Sequence, residues 1–207
     1  MKLKVALFDL DGTLADSIPL HFEAVRAVFS AQGLPAPDPI DFWRTLKPPF
    51  EECYSAFGST LSPDEIWKIY NSNIVRTRVK LFSDALPVVQ ILSKLMAVYV
   101  VSAGPVEDVR YVCENTGLAK HVAGVEGGHE FKFNGVQKIL DDLSIPPHLA
   151  MYVSDFAPEV RELKASYESR LPIFGVTTGI SREEDLLSSG AEKCFGSLGE
   201  LCRFVLS

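Results

Sequence analysis

Short apolar runs recur along the chain, each bounded by polar or turn-forming residues and separated from the next by a stretch of helical periodicity. Val5-Ala-Leu-Phe8 is the first. Ala97–Val101, Ala150–Val153 and Ile173–Val176 follow, with a weaker run at Val122–Val125. Runs of this length are too short for helices and have no polar side of their own, so they read as strands buried on both faces. Between them Val88, Leu92 and Leu95 fall on one helical face, as do Val136, Ile139, Leu140 and Leu143, and later Val160, Leu163 and Tyr167. Strands that alternate with helices predict an α/β fold, with a parallel sheet covered by helices on both faces.

One stretch breaks the alternation. From residue 16 to residue 81 there is no convincing buried strand. Ile18, Phe22, Val25 and Phe29 form a helical stripe that ends near Gly33. Ser62-Pro63-Asp64-Glu65 has the form of a capping box with proline in the first turn, and opens a helix carrying Trp67, Tyr70 and Ile74. The run Pro35–Pro39 reads as a loop. This pattern predicts a helical module, residues 16–81, inserted into a core made of residues 1–15 and 82–207. A second capping box, Ser181 to Glu184, makes the acidic cluster Glu183-Glu184-Asp185 a helix start and not a metal site.

Composition narrows the partners. The 207 residues carry 27 acidic and 20 basic side chains, a formal charge of −7, which gives no electrostatic reason to bind nucleic acid or an anionic membrane. An anionic substrate would therefore need a locally positive pocket. No apolar run approaches the length that crosses a bilayer, and Met-Lys-Leu-Lys-Val leads into the first strand without a signal-peptide pattern, so the expected location is the cytoplasm. Cys53, Cys113, Cys194 and Cys202 are scattered and read as free, mostly buried thiols; His21, His121, His129 and His148 show no metal-ligand spacing.

The chemistry is concentrated in Phe8-Asp9-Leu10-Asp11-Gly12-Thr13-Leu14, directly after the first strand. Ligands of open parallel sheets bind beyond the carboxyl ends of the strands. Two carboxylates at i and i+2 there point the same way on an extended backbone. One can attack phosphorus while the other handles the leaving-group proton. Gly12 permits a sharp turn, and the Thr13 hydroxyl can reach a phosphate oxygen or Asp9.

This string resembles the first motif of the haloacid dehalogenase-like (HAD) phosphohydrolases, and the later motifs follow in order. Ser102, ending Val98-Tyr-Val-Val-Ser102, resembles the phosphate-binding second motif. Lys132, ahead of the helix around Val136–Leu143, resembles the third, with Lys138 inside that helix as its competitor. Tyr152-Val-Ser154-Asp155-Phe-Ala-Pro-Glu159 resembles the acidic fourth motif, with Ser154 and Glu159 where the family has glycine and aspartate. Phe174–Gly179 and Leu186–Ala191 resemble the family's last strand and helix. Leu46-Lys-Pro-Pro-Phe50 resembles a segment of phosphoglycolate-phosphatase-like members, with Lys47 in place of glycine.

The resemblance implies a Rossmann-like core with an α-helical cap of the first class. It implies an enzyme, a phosphatase that hydrolyses a small phosphorylated metabolite with Mg2+ through an aspartyl-phosphate, working as a monomer or homodimer. Asp9 would be the nucleophile and Asp11 the acid and base. Thr13, Ser102 and Lys132 would bind phosphate. Asp9, the Asp11 carbonyl and Asp155 would bind the metal, and Glu159 would ligate through water or orient Lys132. Lys47 is a possible cap contact to substrate, and His21, Arg44, Arg76 and Arg78 are further polar residues on that side. A phosphomutase with the same aspartates, or a weakly active binding or scaffold protein, are the alternatives.

Overall fold

The computed structural model describes residues 3–47, 49–129 and 131–207. Strand β1 (Val5–Phe8) is followed by helices α1 (Ile18–Ser30), α2 (Pro39–Thr45), α3 (Glu52–Ser55) and α4 (Pro63–Asn73). Strict alternation then begins with α5 (Ala85–Leu92), β2 (Ala97–Val101), α6 (Val106–Thr116), β3 (Gly124–Glu126), α7 (Lys132–Leu143) and β4 (Ala150–Ser154). It ends with α8 (Ala157–Ser166), β5 (Ile173–Val176), α9 (Glu183–Ser188), β6 (Lys193–Phe195) and α10 (Leu198–Leu206). The described residues contain no helix long and apolar enough to cross a membrane. The chain forms two compact units, Met1–Asp16 with Lys80–Ser207, and Ser17–Val79.

The first unit is a six-stranded sheet of order β3-β2-β1-β4-β5-β6 in which every pairing is parallel. It is an α/β fold of the Rossmann-like kind. Strand β1 is central and every residue in it is fully buried, as its unbroken apolar run requires. From β1 the chain winds outward through β2 to β3 and then returns to the other side of β1 as β4. The reversal lies between β1 and β4, and in open parallel sheets ligands bind at the carboxyl ends of the strands at such a point. Side chains alternate across the sheet. Val5, Leu7, Ala150, Tyr152 and Ile173 enter one core with residues of α7 and α8. Phe174 and Phe195 instead meet Phe204 of α10.

Several expectations shift. Strand β3 begins at Gly124, later than the apolar run suggested. Helix α5 stops at Leu92, so Leu95 sits in the following turn, 45% exposed, and not on the buried face. Strand β6 and helix α10 went unread because Lys-Cys-Phe is too short to show a pattern. The Ser181 capping box does not form. The cap position of α9 is Arg182, and the Ser181 hydroxyl accepts the Ala157 amide at 2.9 Å, at the start of α8.

The second unit has its own core of Phe22, Val25, Val28, Phe29, Phe42, Cys53, Tyr54 and Ile66. The Ser62–Glu65 capping box forms as read, with both reciprocal bonds present. Asp38 caps α2, which starts on the last proline of the stretch read as loop. Helix α4 turns Ile66 inward with Ile69 and Tyr70 beside it. Trp67 stands edge-on to Tyr70 at its margin, so the buried stripe is offset from the one the sequence suggested.

Phe42 is the hub of this core, in ring contact with Phe22, Phe29, Trp43, Tyr54 and Phe57. Truncating Phe42→Ala should destabilise the helical unit by about 3–5 kcal/mol. Trp43 and Trp67 both lie in that unit, so tryptophan fluorescence during urea unfolding reports it directly. The fluorescence midpoint should fall, and an unchanged midpoint would show that the ring cluster is not what holds the unit together.

Candidate active site

Among the described residues the buried charged side chains are Asp9, Lys132, Asp155 and Glu159. They come from three distant parts of the sequence, and all lie at the carboxyl edge of the sheet where the strand order reverses. Asp9 leaves β1 with its amide donating to the Val153 carbonyl of β4 at 2.9 Å. Asp155 follows β4 directly. Lys132 is the first residue of α7, and Glu159 sits in the first turn of α8.

Lys132 is 1% exposed, so its ammonium must find partners inside the protein. It donates to the Asp9 carboxylate and, at 3.1 Å, to the Val101 carbonyl at the end of β2. It also lies 3.2 Å from Glu159 Oε1. The other Glu159 oxygen accepts from Ser154 Oγ at 3.0 Å and Tyr152 Oη at 3.2 Å. Ser154 in turn accepts the Phe156 amide.

Burial dominates the titration of the acids. It pushes Asp9 up to about 7; Lys132 pulls it back, while the neighbouring Asp155 and Asp11 carboxylates push further. Asp155 rises to about 7 for the same reason, opposed by the Ile180 amide. Glu159 also reaches about 7, through burial and the charge of Asp9 against the pull of Lys132. Burial alone would lower the Lys132 ammonium. The Asp9 and Glu159 carboxylates outweigh it and hold the group above its usual range.

Asp155 is fixed from every side. Its Oδ1 accepts from Thr13 Oγ1 at 2.9 Å, its Oδ2 accepts the Ile180 amide at 2.8 Å, and its own amide donates to Thr13 Oγ1 at 3.1 Å. Two glycines make room for it. Gly12 has φ +80°, and a Cβ there would stand 2.4 Å from Asp155 Oδ2; at Gly179 the distance would be 1.9 Å. The Thr178 hydroxyl bonds the Gly12 carbonyl at 2.7 Å, tying the loop after β5 to the loop after β1.

The sequence candidates therefore separate. Asp9, Lys132, Asp155 and Glu159 come together. Ser102 directly follows β2, 2% exposed, with Oγ accepting the Gly104 amide at 3.1 Å. Asp11 is half-buried just beyond Asp9. Thr13 is fully buried with its hydroxyl committed to Asp155, so it acts on the aspartate and is not placed as a phosphate donor. Lys138 is on the surface, paired with Glu126 and Asp142. Lys47 is an exposed residue of the helical unit whose carbonyl faces the Cys53 thiol, and Pro48 beside it lies outside the described residues. Tyr152 and the Ile180 amide were missed. Tyr152 reads as an ordinary strand aromatic, and a main-chain donor leaves no mark in the side-chain pattern.

A sequence profile of the haloacid dehalogenase-like hydrolases matches residues 6–175. The chain belongs to this family. No curated protein sequence matches it. Among solved structures, a predicted phosphatase from Clostridium acetobutylicum is 20% identical over 100% of this chain and 99% of its own, with a TM-score of 0.86. A predicted phosphoglycolate phosphatase from Haemophilus somnus is 15% identical over 99% and 98%, at 0.78. A candidate β-phosphoglucomutase from Thermotoga maritima is 18% identical over 99% of both chains, at 0.72. At these identities the likeness establishes the fold. The haloacid dehalogenase-like fold thus spans the whole chain, including the part beyond the profile match.

The close approach at Gly179 gives a direct test. Gly179→Ala must displace Asp155 or the loop after β5, and should cost about 1–3 kcal/mol of stability. Thermal unfolding measures this, and a melting midpoint equal to that of the wild type would mean the loop is free to yield.

Proposed function

We propose that this hydrolase cleaves small phosphate monoesters with Asp9 as nucleophile and magnesium as cofactor. The observation that supports it best is the convergence of Asp9, Lys132 and Asp155, all buried, at the switch point of the sheet. A purely structural core has no use for a buried lysine with two carboxylates, Asp9 and Glu159, on its ammonium and a third, Asp155, close to Asp9, because each carries a desolvation cost. A site that must hold a phosphate dianion beside a carboxylate nucleophile does.

The donor set suits magnesium. Among the described residues no three histidine, cysteine, aspartate or glutamate side chains form a metal cluster. Magnesium, however, keeps several waters and takes only one or two carboxylates with other oxygens. Asp9, Asp155 and the Asp11 carbonyl provide an all-oxygen set of that kind, and the glycine-lined approach to Asp155 keeps it compact. When bound there, the ion offsets the repulsion between the Asp9 carboxylate and the incoming phosphate.

In the proposed reaction an Asp9 carboxylate oxygen attacks phosphorus, and the bond from phosphorus to the leaving oxygen breaks. Asp11, as the carboxylic acid, gives its proton to that oxygen. The Asp11 carboxylate then takes a proton from water, whose oxygen attacks the aspartyl-phosphate and releases inorganic phosphate and Asp9. Lys132 stays charged throughout and compensates the phosphoryl oxygens. Ser102 accepts the Gly104 amide, which leaves its hydroxyl proton for a phosphate oxygen. Thr13 holds Asp155 in place. The helical unit corresponds to the cap, and selection of the phosphorylated metabolite is assigned to it.

Two measurements test this. With p-nitrophenyl phosphate and magnesium, Asp9→Asn should lose about 10⁴-fold or more in kcat, and chelation of the metal should abolish turnover reversibly. Folded Asp9→Asn protein with substantial turnover would remove the covalent mechanism. Asp11→Asn should cost more with an alkyl phosphate than with p-nitrophenyl phosphate, whose leaving group needs no proton. Equal losses would take the acid role away from Asp11.

A further inference from the structure

Helix α7 begins at the buried lysine, yet nothing in its own sequence caps it. Phe131 in the cap position makes no side-chain bond, and its first turn contains no acidic residue. Free amides at a helix start need acceptors. One of them finds it on another helix. The Phe133 amide, one residue past Lys132, donates to Glu162 Oε1 at 3.0 Å. Glu162 stands on α8 three positions after Glu159, and side chains at that spacing share a helix face.

We infer that α8 is a two-point clamp on Lys132, with Glu159 holding the ammonium and Glu162 positioning the residue through the main chain next to it. The clamp has a graded construction. Glu159 is itself held by Ser154 and Tyr152, so the head of the lysine is fixed through β4 as well as through Asp9. Glu162 is half-buried, and its hydrogen bond is to main chain and not to the lysine's ammonium. It sets where α7 starts. Because the Lys132 ammonium already meets the Val101 carbonyl and two carboxylates, a shift of the helix start must break one of those contacts or strain the side chain. A negative carboxylate at the start of α7 is also favoured by the helix dipole, which makes the cap stronger than a neutral acceptor would be. Glu162 is a positioning residue, and its role in turnover rests on the phosphatase reading given above.

The test uses the full chain and two variants, Glu162→Ala and Glu162→Gln, because the glutamine oxygen can still accept the amide. Hydrogen exchange at the Phe133 amide should rise at least about tenfold in Glu162→Ala and by much less in Glu162→Gln. The ammonium nitrogen resonance of Lys132 should move in the first and return in the second. Turnover of p-nitrophenyl phosphate should fall between about ten- and a hundredfold in kcat for Glu162→Ala, with a smaller change in KM and recovery in Glu162→Gln. Unchanged amide exchange and an unmoved lysine resonance in Glu162→Ala would overturn the clamp. So would an active enzyme whose kcat ignores the substitution. A wild type without turnover that still shows the two spectroscopic changes would fail the phosphatase reading and leave the clamp standing.

Discussion

The one buried ammonium among the described residues organises the sheet unit. Lys132 cannot be left unpaired in a nearly dry site, and its position is set by what compensates it: Asp9 from β1, the Val101 carbonyl from β2 and Glu159 from α8. These partners come from separate crossovers, so their meeting fixes the ends of β1 and β2 and the starts of α7 and α8 against one another. Removing one carboxylate would leave the charge partly uncompensated, which is why such clusters cost more to break than to keep. The same arrangement that stabilises the lysine aims it at Asp9, the proposed nucleophile.

The departures of this chain from the family's fourth motif make sense as a set. Glutamate in place of aspartate adds a methylene and carries the carboxylate to Lys132. The carboxylate oxygen that does not face the lysine must also be satisfied in a buried place. Ser154, where the family has glycine, donates to that oxygen, and Tyr152 donates as well. Serine and glutamate are therefore complementary. Asp155, which keeps the family's identity, is held by a different group of donors, Thr13 and the Ile180 amide. The motif divides cleanly into one acid bound to the loops and one bound to the lysine.

The helical unit follows other rules. Its stability comes from aromatic packing around Phe42 and from local capping at Asp38 and Ser62, with no buried ion pair among its core residues. Its polar side chains are mostly on exposed faces, where substitution costs little. Such a unit can change its exposed side chains without disturbing its own core, which suits a proposed role in choosing the leaving group.

Local pattern in the sequence was enough for the strands β1, β2, β4 and β5, because unbroken apolar runs have few alternatives once helices flank them. It was enough for the Ser62 cap, whose two bonds lie within four residues. It also marked Asp9, Ser102, Lys132 and Asp155, since each directly follows a strand or opens a helix. It could not show that Ser181 caps α8 and not the helix next to it, because the competing amide is at Ala157 and only folding brings it near. Nor could it choose among roles for Glu159, assign the Thr13 hydroxyl to Asp155, or reveal Glu162. Those assignments depend on which buried donors meet which acceptors across the sheet, and a hydrogen bond between residues far apart in the chain leaves no periodic trace in it.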